Sequence, residues 1–206
     1  MFDIHQATIE RYAKANAENW FKTIQFVLLT IQQPLWQIPN QMELVNRQGA
    51  EANCLWGMKG VGWAWHKEHM HETYDHAMLI NHIHPNPEHA ASELLLYLAG
   101  LPSLGLVKAG FVAQLAFGLV GCLDTHNLFR FGLSESEFKS SSFKGAKTIT
   151  TKQRKVNHYI AVCNDLGGAR GLWNSWCAYV YERNAYALRY DSAFAVSAMH
   201  CEALGL

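Results

Sequence analysis

The chain carries no excess charge of either sign: 17 Lys and Arg offset 17 Asp and Glu over 206 residues. Recognition by bulk charge is thereby excluded, and a polyanion would have to meet basic groups gathered on one face. Five cysteines, Cys54, Cys122, Cys163, Cys177 and Cys201, are odd in number and form no CxxC pair, which fits reduced thiols in a cytosol rather than a disulfide framework. No apolar run reaches the roughly 18 residues that a membrane span needs, and no signal peptide opens the chain, so a soluble protein is expected. Strand-like alternation is missing, and so are repeats of about 20–50 residues.

What is present is helical periodicity in a chain that is 50% hydrophobic and 12% aromatic, enough to bury a full core. Apolar residues from Ile9 to Ile31 recur at helical spacing and stop at Pro34, which predicts two helices between Ile4 and Ile31. Met42–Gly60 is poorly periodic, and Gly57, Gly60 and Gly62 among Trp56, Trp63 and Trp65 suggest a turn-rich stretch before a His-rich helix. Helices are expected at Glu88–Leu98 and Val107–Phe117. Ser134–Thr151, Ser-rich and bearing Lys139, Lys144 and Lys147, with Lys152 just beyond, reads as a polar excursion. Helical pattern returns at Val156–Leu166, Leu172–Ala187 and Ser192–Ala203. The class is all-α, in one domain over residues 1–206.

Residues 99–118 form the first informative segment. Leu101-Pro102-Ser103-Leu104-Gly105 is a tight hairpin between two helices, and the helix after it offers free N–H groups and a positive dipole end to a phosphate. Such a contact positions a duplex without reading its sequence. Downstream, within 121–132, comes Leu123-Asp124-Thr125-His126. Hairpin and aspartate at this joint spacing resemble the helix-hairpin-helix DNA glycosylases, whose hairpin runs Leu-Pro-Gly-Val-Gly and is followed by Val-Asp-Thr-His with the essential aspartate. Leu29-Thr30-Ile31-Gln32 is similar to the Leu-Ser-x-Gln helix end of those enzymes. The chain departs from them in three ways: Ser103 replaces a hairpin Gly, which is tolerable only if its φ is negative or slightly strained; the lyase lysine position is Val107, with Lys108 one further on; and the C-terminal iron–sulfur cysteines are missing. No Schiff-base role for Lys108 is implied.

A closer resemblance, on Lys108–Leu115, Gly121–Asn127, Leu172-Trp173-Asn174-Ser175-Trp176-Cys177 and Val196–His200, is to the phage amino acid:DNA transferases, also called α-glutamyl/putrescinyl thymine pyrophosphorylases. It implies a two-lobed helix-hairpin-helix glycosylase-like fold and a base-flipping enzyme. That enzyme exchanges the pyrophosphate of a pyrophosphorylated 5-hydroxymethyluracil in phage DNA for the amine of an amino acid. Implied partners are double-stranded DNA and a free, small amino acid, with no cofactor, metal or membrane, in a monomer acting in the host cytoplasm. The alternatives are a monofunctional DNA N-glycosylase and a non-catalytic DNA-binding module.

Each residue singled out has two readings. Asp124 is the catalytic carboxylate or the N-cap of the helix that follows. His126 and Asn127 orient base or phosphate, or merely flank that cap. Lys108 meets a backbone phosphate or the pyrophosphate, or is solvated. Gln32 fills the gap left by a flipped base, or ends a helix. The resemblance adds Leu101, Ser103, Gly105, Lys108 and Gly110 as DNA contacts. Seven histidines, His66, His69, His71, His76, His82, His84 and His89, invite metal binding, phosphate contact or a structural role, although their spacing converges on no single helical face. Trp173, Trp176 and Tyr179 read as core more readily than as a stacking platform.

Overall fold

The computed structural model describes residues 3–138, 143–184 and 190–206, in which eleven α-helices and no strand are present. Lys139 and the last residues of the expected Leu172–Ala187 helix lie outside the described residues. The helices are α1 (Asp3–Ala13), α2 (Ala17–Leu29), α3 (Ile38–Gln48), α4 (Met58–Glu68), α5 (Met70–Ile83), α6 (Pro87–Leu98), α7 (Leu106–Phe117), α8 (Thr125–Arg130), α9 (Ile149–Asp165), α10 (Gly168–Asn184) and α11 (Ala193–Leu204). None is long and apolar enough to cross a membrane.

Two of them form the centre. In α2, Trp20, Ile24, Phe26, Val27, Leu28 and Leu29 are fully buried, and α1, α3, α4, α5 and α7 pack around it. In α7 every residue but Val107 and Lys108 is buried, against α1, α2 and α6. A helix apolar on all sides belongs inside a core rather than on its surface. Helix starts follow local chemistry: Asn16, Asn86, Thr148 and Ser192 each cap the helix that follows by accepting a backbone N–H, and α7 ends at Gly118 in the left-handed region, φ 63°.

Two expectations are corrected. Met42–Gly60 is not turn-rich throughout: α3 covers Ile38–Gln48, and only 52–57 is irregular between a short 3-10 turn and α4. Gly60 and Gly62 lie inside α4 because of close approach, since an added Cβ would fall 2.6 Å from the Leu55 carbonyl oxygen and 2.5 Å from the Ser103 Cβ, respectively. The polar excursion ends early, because α9 starts at Ile149, and it is pinned by Phe138 and Phe143, which are 2% and 1% exposed.

The hairpin joins α6 to α7 and is braced by α4. Ser103 Oγ donates to the Met58 carbonyl at 2.5 Å, and His66 Nε2 donates to the Pro102 carbonyl at 3.0 Å. Ser103 stands at φ 58°, the strained outcome that replacing the hairpin Gly allows.

Candidate active site

Delivery of Asp124 begins with Gly121–Leu123, a buried stretch in no helix whose backbone groups need partners. Tyr159 Oη accepts from the Leu123 N–H and donates to the Gly121 carbonyl, both at 2.9 Å. Gln114 Oε1 accepts from the Cys122 N–H at 3.1 Å, and Asn127 Nδ2 donates to the Cys122 carbonyl at 2.8 Å. Gly110 makes room for this bracket, since a Cβ there would lie 2.3 Å from Tyr159 Oη. Gly110 and Asn127, expected as DNA contact and catalytic group, are thus buried outside the cleft and hold the aspartate turn in place.

Asp124 caps α8 and also faces a cleft of about 730 Å³. The cap reading of this residue is therefore met, and its place leaves the carboxylate open to the cleft. Oδ1 accepts from the Asn127 N–H at 3.1 Å, and Oδ2 accepts from Trp176 Nε1 at 2.8 Å, with His126 Nδ1 3.6 Å away. Burial pushes the carboxyl pKa up, but His126, the Asn127 amide and Lys108 outweigh it and hold it below the ordinary 3.8.

Lys108, half-buried on the first turn of α7, shares the cleft; its Nζ donates to Thr30 Oγ1 at 3.0 Å. Gln32, exposed at φ 55°, lies on the strap between α2 and α3 that forms another wall with Trp36. Phe111, Phe138, Trp176 and Tyr190 supply aromatic surface, and His200 closes the interior end, its ring 4.5 Å from Trp173 and 5.3 Å from Trp176. Burial lowers the His200 pKa to about 4. No family model, curated protein or solved structure matches this chain.

The structure therefore brings Gln32, Lys108, Asp124 and His126 to one space and leaves others out. Leu101, Ser103 and Gly105 are buried, and the Ser103 hydroxyl is spent on Met58 of α4. The first turn of α7 has no side-chain cap. Among the histidines, His66 braces the hairpin, His69 stacks on Trp65 and His84 pairs with Glu93. No three His, Cys, Asp or Glu come together as a metal site among the described residues.

Among the cleft residues, sequence reasoning set Trp176 down as core and did not single out Arg183. Trp176 reads as core because it shares a helical stripe with the buried Trp173 and Tyr179. The signal that would have separated them is the indole N–H, which needs a partner when it is buried. Trp173 finds Ser197, whereas Trp176 finds Asp124.

Proposed function

We propose that the chain is a base-flipping enzyme with a two-lobed helix-hairpin-helix glycosylase-like fold. It transfers an amino acid onto a pyrophosphorylated 5-hydroxymethyluracil in DNA and displaces pyrophosphate. The observation that carries this reading is the pairing, in one aromatic-walled cleft, of an ionised Asp124 with Lys108, a cation whose hydrogen-bond partner is a neutral hydroxyl. Aromatic walls suit a flat base turned out of its stack, and the uncapped start of α7 suits a backbone phosphate beside it.

In the reaction, the amine nitrogen bonds to the methylene carbon on the ring. The carbon–oxygen bond to pyrophosphate breaks with its electron pair leaving on oxygen, and the nitrogen sheds a proton. Lys108 offsets the charge that grows on the leaving oxygen. Asp124, with its depressed pKa, is a lasting anion suited to balancing cationic character at the reacting carbon and to holding the amine, and a poor acceptor of the proton. His126, 3.6 Å from Asp124 Oδ2, is the ring placed to accept it. An N-glycosylase could use Lys108 only against a backbone phosphate, whereas transfer also gives it a charged leaving group inside the cleft, which is why transfer is preferred.

The test is to treat DNA carrying the pyrophosphorylated base with the protein and a panel of small amino acids, then weigh the nucleosides by mass spectrometry. A nucleoside heavier by an amino acid residue supports transfer. Free base with an abasic site would make the protein an N-glycosylase, and bound but unaltered DNA a binding module.

A further inference from the structure

Arg183 lines the same cleft and has no part in displacing pyrophosphate. It follows Trp176 by seven residues on α10, two helical turns, so both side chains leave the same face about 10 Å apart along the axis. The arginine folds back across that gap. Its guanidinium lies 5.6 Å from the centre of the Tyr179 ring, and Nη1 donates to the Tyr179 hydroxyl at 3.2 Å. Tyr179 in turn touches His126, ring centres 5.7 Å apart, and His126 is 3.6 Å from the Asp124 carboxylate.

Among the described residues no carboxylate pairs with Arg183. Lys14, Lys22 and Arg130 each have a glutamate, at 2.6, 3.2 and 3.5 Å. A hydroxyl aims the guanidinium without neutralising it, so its planar fork stays available to an anion. Beyond Tyr179 and His126, on the same cleft, stands the ionised Asp124. A guanidinium and a carboxylate in this relation match a small molecule that is positive at one end and negative at the other. Pyrophosphate matches them poorly, because it brings further negative charge toward Asp124.

We propose that Arg183 binds the carboxylate of the incoming amino acid while Asp124 holds its amine, an assignment that rests on the transferase reading. Arg183 is exposed, so Arg183→Gln leaves the fold intact. In transfer assays, this variant raises the KM for glycine at least about tenfold, the size of one lost charge-assisted contact. Its DNA affinity and its rate with methylamine, which has no carboxylate, stay at the wild-type values. An unchanged KM for glycine, an equal loss with methylamine, or a weakened affinity for inorganic pyrophosphate in its place would overturn the assignment.

Saturation-transfer NMR with glycine and the protein separates this outcome from failure of the transferase reading, because it needs no turnover. A glycine signal with wild type that vanishes in Arg183→Gln sustains the site even if no amino acid reaches DNA. No signal with wild type, or one that survives the substitution, removes it.

Discussion

At Asp124 the two carboxylate oxygens take different donors, the Asn127 amide at 3.1 Å and the Trp176 indole at 2.8 Å. Asparagine has one oxygen to offer, so Asp124→Asn sets an NH₂ against an N–H. Turnover is expected to fall about 10²–10³-fold, because the charge is lost. The melting point should fall as well, by the equivalent of about 1 kcal/mol for a donor left unpaired in a partly exposed place. Adding Trp176→Phe removes that clash, so the double variant should melt higher than Asp124→Asn and remain as inactive. Trp176→Phe alone keeps the ring but removes an N–H that favours the ionised carboxyl, and the acid limb of the rate–pH profile should move upward. An Asp124→Asn protein that keeps more than about a tenth of the wild-type rate would reduce Asp124 to a helix cap and shift the chemistry to His126.

Among the elements, α4 meets the hairpin at close quarters: Gly62 leaves no room for a Cβ, which would lie 2.5 Å from the Ser103 Cβ and 2.6 Å from its Oγ. Gly62→Ala should cost about 1–3 kcal/mol, as overpacked sites do. Ser103→Gly should recover most of it, since it clears the space and relaxes the φ of 58°, at the loss of the bond to Met58. Paired thermal melts of the single and double variants measure the recovery, and additive losses would disprove the contact as its cause.

Most of the helices were legible in the sequence, because α2, α6 and α7 carry strong apolar patterns between clear stops. Misreadings arose where one residue type serves two ends. Gly60 and Gly62 mark close approach as readily as turns, and the Ile149–Thr151 end of the polar excursion is the start of α9 rather than loop. Of the candidate site, Lys108, Asp124 and His126 were legible from their spacing to the hairpin, and Gln32 from the Leu29-Thr30-Ile31-Gln32 helix end. Trp176 and Arg183 were not, because Trp176 meets Asp124 and His126, and Arg183 enters the same cleft, only through the docking of α10 on α8.

At the scale of the whole molecule, stability should depend on pH through His66 and His200, whose pKa values burial lowers to about 4 from the usual 6.5. Between those values the unfolded chain binds protons that the folded one refuses. The stabilising contribution is therefore complete above pH 6.5 and drains away as pH falls toward 4, by about 3 kcal/mol per histidine at full extent. Unfolding measured from pH 7 to pH 4 should show this slope, and it should flatten in His66→Gln; a melting point constant over that range would mean that neither ring is buried in its neutral form.

The distance in sequence between Asp124 and Trp176 also sets a clock. Asp124 leaves the ribosome 52 residues ahead of its indole partner, about 3–10 s at about 5–20 residues per second. Tyr159, which holds the stretch before Asp124, is itself 36 residues later than Leu123. A nascent chain, or one cut short before α10, therefore carries the hairpin and the aspartate without the arrangement that joins them, and under the proposed transfer a half-made copy should be inert toward any base it meets.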